Sequence, residues 1–350
     1  MRFFRLKLFV TKWSHYEYWP WLFFYIPSIP VYLYYAIRSG YFFFTTAANP
    51  GIENGGLYGE SKMDILNNFS DDYKPKTLIH KYGSSVQETM NVLVARGFEW
   101  PFIVKPDAGQ RGLMVQKIYE PKALEEILQA NAYDFIIQEF IDYPLEFGVL
   151  YGRLPGHEHG SVRSIVSKGF LSVTGDGIHT VEHLLLQNKR AWFQMDRFKV
   201  EIPGLLKTVL SKGEIKIIEP IGNHCKGTEF INSNDLISEE LNRVFDKISK
   251  QFNGFYYGRF DMKVRSIEEF KKGETIKIFE LNGVTSDAGH IYDKDYTLIK
   301  AYKDIVKEMN FIYKISVLNI KNGVKPIRAG FMIPFIFNYF KKQNYTEHFL

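Results

Sequence analysis

Two short segments in the second half of the chain place polar side chains at strand spacing. Arg259 and Asp261 end one predicted strand, and Glu280 and Asn282 end the next. Residues two apart in a strand point to the same face. If these strands are neighbours, two carboxylates, an amide and a guanidinium converge, and carboxylate and amide oxygens suit Mg²⁺. From the residues alone, a salt-bridged pair on a sheet is the alternative.

A lysine followed by a glycine-rich turn occupies residues 104–112. Lys105 ends an apolar strand, a position from which an ammonium can meet phosphate oxygens. Gly109 and Gly112 let backbone N–H groups come close to a polyphosphate. Many ordinary hairpins also carry lysine and glycine, so a hairpin without a ligand is the alternative.

A third segment is an apolar strand that runs into a loop. Backbone groups at Glu139, Phe140 and Ile141 are suited to the edge of an adenine ring. Glu146 follows Glu139 by seven residues, and a carboxylate there can accept both hydroxyls of a ribose. A solvated surface acid is the alternative for Glu146.

The surrounding pattern predicts a mixed α+β order, because strands and helices do not alternate regularly. We predict a hairpin from Phe98 to Ile118, and a strand followed by a glycine-rich loop over residues 41–62. An amphipathic helix begins near a cap at Asn234 or Asp235. A long helix is predicted from Tyr296 to Ile312.

Composition excludes several classes of protein. The 350 residues are 45% hydrophobic and 24% charged, which is typical of a globular protein. The net charge of +5 comes from scattered residues and forms no basic stripe, so we expect no nucleic-acid partner. A single cysteine, Cys225, rules out an internal disulfide framework and a cysteine zinc cluster. We expect a cytoplasmic protein, with the inner face of the membrane as an alternative location.

Aromatic residues are concentrated in residues 13–44. Pro20, Pro27 and Pro30 interrupt this stretch and argue against one membrane-spanning helix. Tryptophan and tyrosine near basic residues favour contact with a membrane surface. The alternatives are packing beneath the catalytic lobes and a dimer contact, which would make the protein a homodimer. Aromatic residues followed by lysines recur over residues 330–342.

The motifs VKP with its glycine-rich turn, QEF with a later glutamate, RFD and ELN follow one another in this order. In this order they resemble the ATP-grasp superfamily, specifically its D-alanine–D-alanine ligase-like, carboxylate–amine ligase branch. The resemblance covers roughly residues 76–307. It implies two α+β lobes that clasp ATP, preceded here by a short, aromatic-rich and atypical amino-terminal segment.

The resemblance implies a role for each matching residue in nucleotide binding. Lys105 would bind the α- and β-phosphates, under a turn that contains Gly109 and Gly112. Backbone groups of residues 139–141 would hold adenine, and Glu146 would hold the ribose. Lys76 would be a further nucleotide lysine, on a looser alignment.

The resemblance also implies catalytic and metal roles. Arg259 would contact the transferring phosphate, and Lys168 and Arg163 lie where related ligases place a cation near the acyl phosphate. One or two Mg²⁺ ions, or Mn²⁺ as an alternative, would bind three residues: Asp261, Glu280 and Asn282. The GDGIHT segment at residues 175–180 is similar to one in cyanophycin-synthetase-like and glutathione-synthetase-like ligases.

The implied reaction activates a carboxylate as an acyl phosphate and joins it to an amine. The partners would be ATP with a small-molecule or lipid-linked carboxylate and amine. The sequence after Asn282 departs from the D-alanine ligases, so a cell-wall dipeptide is not supported. An ATP-grasp kinase and a catalytically silent nucleotide-binding module remain alternatives. Residues near the metal motif or in the 49–62 loop are candidates to hold the amine: Glu53, Glu60, Thr285, Ser286, Asp287 and His290.

These observations divide the chain into four parts. Residues 1–48 form the aromatic-rich segment, and residues 49–95 replace the larger amino-terminal domain of D-alanine ligases. Residues 96–312 form the ATP-grasp domain, and residues 313–350 form an aromatic and basic tail.

Overall fold

The computed structural model describes residues 2–108, 114–130, 133–220, 222 and 226–330. Within these residues the strands form sheets of four, five and two strands. Every strand pairing is antiparallel, and helices are interspersed without regular βαβ units. The predicted α+β fold class is confirmed.

The amino-terminal segment folds into three helices: α1 (Arg2–Ser14), α2 (Trp21–Tyr25) and α3 (Ile29–Ser39). Its prolines begin helices rather than break them, because a first-turn proline loses no helical hydrogen bond. Pro20 precedes α2, and Pro30 lies in the first turn of α3. No helix in the described part of the chain is long and apolar enough to cross a bilayer.

The smaller lobe follows. Its elements are α4 (Lys62–Leu66), β1 (Thr77–His80), α5 (Val86–Ala95), β2 (Phe102–Pro106), β3 (Gln116–Ile118), α6 (Pro121–Ala130) and β4 (Phe135–Glu139). The strands lie in the order β1-β4-β2-β3. Phe102 pairs with Ile118, so the predicted hairpin is confirmed. Apolar side chains of α5 and α6 pack on this sheet and form a separate small core.

The larger lobe contains the rest of the described chain. Its elements are β5 (Leu145–Gly152), β6 (Ser161–Gly169), β7 (Leu171–Thr174), α7 (Val181–Leu186), α8 (Lys189–Trp192), α9 (Met195–Glu201), α10 (Pro203–Leu206), β8 (Ile215–Glu219), β9 (Glu229–Asn232), α11 (Glu239–Ser249), β10 (Tyr257–Val264), α12 (Ile267–Lys272), β11 (Lys277–Asn282) and α13 (Leu298–Lys321). Five strands form one sheet in the order β11-β10-β5-β6-β9. Strands β7 and β8 pair apart from it and pack with α7–α10.

The two faces of the five-stranded sheet are covered differently. Helices α11 and α12 bury an apolar core against one face, through residues such as Phe245 and Phe270. On the other side, α13 packs with the amino-terminal segment, including Phe24 and Phe44. Tyr35 stacks on Tyr313 of α13, with ring centroids 4.6 Å apart. The aromatic segment is therefore part of the fold of the larger lobe.

Three predicted boundaries are wrong. Helix α11 begins at Glu239, because the Ser238 side chain accepts the N–H of Leu241, whereas Asn234 accepts the N–H of Ile165. Helix α13 begins after Thr297 and continues past residue 312 to Lys321, because buried positions recur to Asn319. Residues 41–44 form no strand, and a 3₁₀ helix runs over Phe44–Ala47.

Replacing Phe24 by alanine should destabilise the whole larger lobe. Phe24 is 2% exposed and stacks with Tyr16 and Tyr302, with centroids 5.6 and 5.5 Å apart. Loss of a buried phenylalanine costs about 3–5 kcal/mol, measurable as the free energy of unfolding in urea. The neighbouring Phe23 is 53% exposed, so Phe23→Ala is the matched control and should cost at most about 0.5 kcal/mol. Equal small effects would show that the segment is not part of the core.

Candidate functional site

Strands β10 and β11 bring the polar pairs together as predicted. Arg259 pairs with Asn282, and Asp261 pairs with Glu280. Directly opposed residues of an antiparallel pair share a face, so all four side chains lie on one side of the sheet. This face lies toward a cavity of about 1100 Å³ that is lined by both lobes.

Asp261 is the most buried carboxylate of the group, at 1% exposure. One of its oxygens lies 3.0 Å from Nη2 of Arg259 and 3.0 Å from Nδ2 of Asn282, and the other lies 3.1 Å from Nζ of Lys168. Burial opposes ionisation, but Arg259 and Lys168 outweigh it and lower the pKa of Asp261 below its ordinary value. Asp261 is therefore a carboxylate held ionised between two cations.

Lys168 links this group to the neighbouring strand. Its Nζ lies 2.9 Å from Oε1 of Glu146, which is itself buried on β5. Burial lowers the pKa of Lys168, but Asp261 and Glu146 raise it more, and the net shift is upward. Gly148 leaves room for this contact, because a Cβ there would lie 3.1 Å from Oδ1 of Asp261. Lys168 therefore reaches the cavity as a charged group.

The smaller lobe contributes Lys105, which is buried and lines the cavity. Its Nζ donates to Oε1 of Gln138 at 3.1 Å and to the carbonyl oxygen of Phe279 at 3.0 Å. The ladder between β10 and β11 skips Phe279, because a bulge follows the Asp261–Glu280 pair. Because of this bulge, the carbonyl oxygen of Phe279 in the larger lobe can accept a hydrogen bond from Lys105 in the smaller lobe. Burial lowers the pKa of Lys105 to about 8, although Glu280 acts in the opposite direction.

The residues expected to hold the nucleoside lie at the cavity, but some of their side chains already have partners within the protein. Glu139, Phe140, Ile141 and Glu146 all line it. Glu146 is paired with Lys168 rather than open to a ribose. Phe140 has the Nζ of Lys117 3.3 Å from its ring centroid. Gly109 and Gly112 lie outside the described residues.

Two predicted site residues lie elsewhere. The Lys76 side chain is exposed, bonds the carbonyl of Gly97 at 2.7 Å and does not line the cavity. Arg163 forms two bonds to Glu308 of α13, with Nη2 2.8 Å from Oε1. A bulge in β6 turns Arg163 to the α13 side of the sheet, because the ladder skips it between Val162 and Ser164. Arg163 therefore fastens α13 and does not line the cavity.

Four of the six residues predicted as candidates to hold the amine line the cavity. Glu60 from the 49–62 loop and Thr285, Ser286 and Asp287 line the cavity, whereas Glu53 and His290 do not. The loop reaches the site because Gly56 lies against Gly283, where a Cβ would be 2.6 Å from the Gly283 Cα.

Lys62 and Lys263 also line the cavity and were missed. Lys263 continues the two-residue spacing of Arg259 and Asp261, so strand periodicity could have identified it. The GDGIHT segment does not line the cavity. Asp176 accepts the N–H groups of Ile178 and His179 there, and Thr180 caps α7.

Residues of all four motifs, in chain order and from two α+β lobes, thus line a single cavity. The chain thus has an α+β fold in which two lobes enclose one cavity. Lys105 comes from the first lobe, whereas Arg259, Asp261 and Glu280 come from the second. The expectation of two lobes with a short, aromatic-rich amino-terminal segment is confirmed.

Comparison with known proteins finds only distant structural similarity. No protein-family model and no curated protein matches the chain. The bifunctional glutathione synthetase from Pasteurella multocida aligns with a TM-score of 0.37 and 13% identity, over 71% of this chain and 35% of that one.

Two further solved structures align in the same way. The D-alanine–D-alanine ligase from Bacillus anthracis has a TM-score of 0.42 and 14% identity, over 75% of this chain and 69% of that one. The VanG D-Ala:D-Ser ligase from Enterococcus faecalis has a TM-score of 0.40 and 14% identity, over 73% and 61%. This chain thus spans about a third of the synthetase and about two thirds of each ligase.

The residues present fit one divalent cation that shares phosphate oxygens. Glu280 is opposite Asp261, and its side-chain carboxylate forms no hydrogen bond or ion pair among the described residues. Asp261 is already bonded to two cations and an amide. No group of three or more His, Cys, Asp or Glu side chains in the described ranges is arranged to hold a metal by itself. Magnesium commonly takes one or two carboxylates and completes its shell with phosphates and water.

Lys105→Met should stabilise the nucleotide-free protein at pH 7. The pKa of Lys105 is lowered from 10.5 to about 8. The unfolded chain therefore binds more protons between these values, and stability rises with pH across that window. Below pH 8 the full cost of the buried ammonium is present. After loss of two hydrogen bonds, we expect a net gain of about 1 kcal/mol at pH 7, which becomes a net loss by pH 10, where most of the cost of the ammonium is gone.

The matched control is Lys76→Met, because that lysine is exposed and lies away from the cavity. It should change stability equally at pH 7 and pH 10. Urea unfolding at both values measures the effect. Destabilisation by Lys105→Met that is the same at both values would mean that burial of this ammonium carries no cost.

Proposed function

We propose that this protein is an ATP- and Mg²⁺-dependent ligase that joins a carboxylate to an amine with formation of ADP. The observation that carries the proposal is the convergence of Lys105 from one lobe with Arg259, Lys168 and Asp261 from the other, on a single cavity. A polyphosphate needs cations from more than one side, and a metal site needs hard oxygen ligands beside them.

The proposed reaction has two steps. An oxygen of the substrate carboxylate attacks the γ-phosphorus of ATP, the bond to the β-phosphate oxygen breaks, and an acyl phosphate and ADP form. The amine nitrogen then attacks the acyl carbon, the phosphate leaves, and the nitrogen loses a proton. Arg259 and Lys168 would stabilise the charge that develops on the transferring phosphoryl and on the leaving phosphate.

The remaining residues would position the reactants. Lys105 would contact the α- and β-phosphates, and residues 139–141 would contact the adenine ring. Asp261, Glu280 and Asn282 would hold the magnesium ion, with manganese as the alternative. That ion would neutralise phosphate charge. Because Glu146 is paired with Lys168, a ribose contact by Glu146 requires that it also accept a hydroxyl with its second oxygen.

A kinase reaction would use the same nucleotide residues, as would a silent nucleotide-binding module. Lys168 favours the ligase. It is a buried cation beside Asp261, one of the proposed metal ligands, and a cation there suits the charge of an acyl phosphate. Release of ADP together with inorganic phosphate supports the ligase. A stable phosphorylated product would instead establish the kinase.

Nucleotide binding should appear as a magnesium-dependent rise in thermal stability. A ligand at about 100 times its dissociation constant adds about 2.7 kcal/mol if it binds only the folded state. We expect this rise with ADP and Mg²⁺, and we expect Glu280→Gln and Lys105→Met to abolish most of it. Lys76→Met should retain it. No rise in the wild type, or a rise that persists in both cavity variants, would contradict the proposed site.

We also propose that the outer surface of α1–α3 contacts a membrane surface. This outer aromatic surface consists of exposed side chains: Leu6, Phe9, Trp13, Trp21, Leu22, Phe23, Ile26, Leu33, Ile37 and Phe42. Residues 1–48 contain five basic residues and one acid, Glu17, and that acid is buried in an ion pair with Arg190. Exposed aromatic side chains on a segment of net positive charge suit anionic lipid headgroups.

Sedimentation with vesicles tests this contact. The full-length protein should co-sediment with phosphatidylserine-containing vesicles, and much less with phosphatidylcholine vesicles. The double change Phe23→Gln and Ile37→Gln should weaken binding about tenfold or more, because two exposed apolar side chains are removed. Val200→Gln is the control, since Val200 is 80% exposed on α9. An equal loss of vesicle binding in the double variant and in Val200→Gln would contradict the proposed membrane contact.

A further inference from the structure

The cavity has two chemically different ends. One end carries the charged residues, including Lys105, Arg259 and Asp261. The other is lined by the amino-terminal segment and by α13, through side chains such as Trp19, Phe24, Ile29, Ile305, Met309 and Ile312. Few of the side chains at this second end are charged, and most are aromatic or aliphatic. An apolar end of this kind is suited to a hydrocarbon group and poorly suited to a nucleotide.

The apolar end is built by α2 and α3 on one side and by α13 on the other. Phe24 and Ala36 are buried beside Ile305 and Ile312 in one core. Tyr16 donates to the carbonyls of Ile291 and Tyr296, which fixes the segment to the loop before α13. The wall is therefore packed on the larger lobe and hydrogen-bonded to it.

The apolar end opens onto the outer aromatic surface. Ile29 and Trp21 line the cavity and are also 45% and 49% exposed. Ile37, on the same helix as Ile29, is 81% exposed and does not line the cavity. A hydrocarbon chain could thus pass from the surface into the cavity beside Ile29 without crossing the charged end.

A polar group marks the boundary between the two ends. Asp287 lines the cavity and accepts hydrogen bonds from the Tyr25 and Tyr292 hydroxyls, the latter at 2.9 Å. Burial and the Asp287 charge raise the pKa of Tyr25 far above its ordinary value, so its hydroxyl stays protonated as a donor. Burial lowers the pKa of Arg259, but the charge of Asp261 and, to a smaller extent, that of Asp287 raise it more. A polar head at this boundary would lie near the residues proposed for acyl transfer.

The size of the cavity agrees with two ligands. Ligand pockets typically measure about 300–1,000 Å³, and this cavity of about 1100 Å³ is larger than that range. A nucleotide at the charged end leaves the apolar end for the second reactant.

We infer that one substrate of the proposed ligase is an amphiphile, whose reacting carboxylate or amine is at the end of a hydrocarbon tail that occupies this apolar end. The inference rests on the proposed function for the reaction, but tail binding does not require ATP. Acyl and prenyl tails share the chemistry that the wall recognises. The head is either a carboxylate near Arg259 or an ammonium near Asp287.

Displacement of a fluorescent fatty acid from the full-length protein tests the inference without nucleotide. The probe is 11-(dansylamino)undecanoate, and the competitors are alkanoates and alkylamines of two to fourteen carbons. We expect affinity to rise about fourfold per methylene. Stronger competition by dodecanoate than by dodecylamine would assign the tail to the carboxylate, and the reverse would assign it to the amine.

Two wall variants and one matched control separate the cavity from the surface. Ile29→Gln and Met309→Gln, on opposite walls, should each weaken binding about tenfold, whereas Ile37→Gln should leave it within about twofold. No binding to the wild type, or an equal loss in Ile37→Gln, would overturn the inference, the latter because the tail would then lie on the outer surface. Stabilisation of the same wild-type preparation by Mg²⁺ and ADP reports separately on the proposed nucleotide site.

Discussion

The burial of Asp261 between two cations is the constraint on which the rest of the site depends. A buried carboxylate is costly unless it is paired and hydrogen-bonded. Here the partners come from three different strands: Arg259 from β10, Lys168 from β6 and Asn282 from β11. The pairing therefore favours one order of these strands in the sheet and requires that the paired side chains lie on the same face of it. Loss of Arg259 or Lys168 would leave the buried carboxylate with one cation, and loss of Asn282 would remove a hydrogen bond, so fold and site depend on the same contacts.

Lys105 shows the opposite arrangement, in which a charge is kept at a cost. Its partners are an amide oxygen and a carbonyl oxygen, with no carboxylate among its hydrogen bonds. Both acceptors are neutral, so burial lowers its pKa. The bulge at Phe279 supplies the carbonyl and so ties the two lobes together across the cavity. An anionic ligand would offset the cost, which is a reason for such a lysine to be maintained in a nucleotide site.

The spacing of residue types along the chain predicted those structural features that depend only on residues close together in sequence. Strand periodicity predicted that four side chains share one face of the sheet, provided that β10 and β11 are adjacent: Arg259, Asp261, Glu280 and Asn282. The cap of α11 was misplaced because Ser238 competes with Asn234, and the Asn234 side chain bonds β6 instead. Arg163 has the residue type of a catalytic cation, but a bulge in β6 directs it to Glu308. A single-residue register shift of this kind leaves no mark in composition or spacing.

The role of the aromatic segment could not be predicted in this way, because its contacts join distant parts of the chain. Tyr16 bonds Ile291, and Tyr25 bonds Asp287. The resemblance to ATP-grasp ligases covers residues 76–307 and so excludes this segment, although the segment forms one wall of the cavity. Residues that bind the phosphates would therefore lie in the shared region, whereas residues that select the second substrate would lie outside it. The composition of this wall is therefore the best guide to the second substrate.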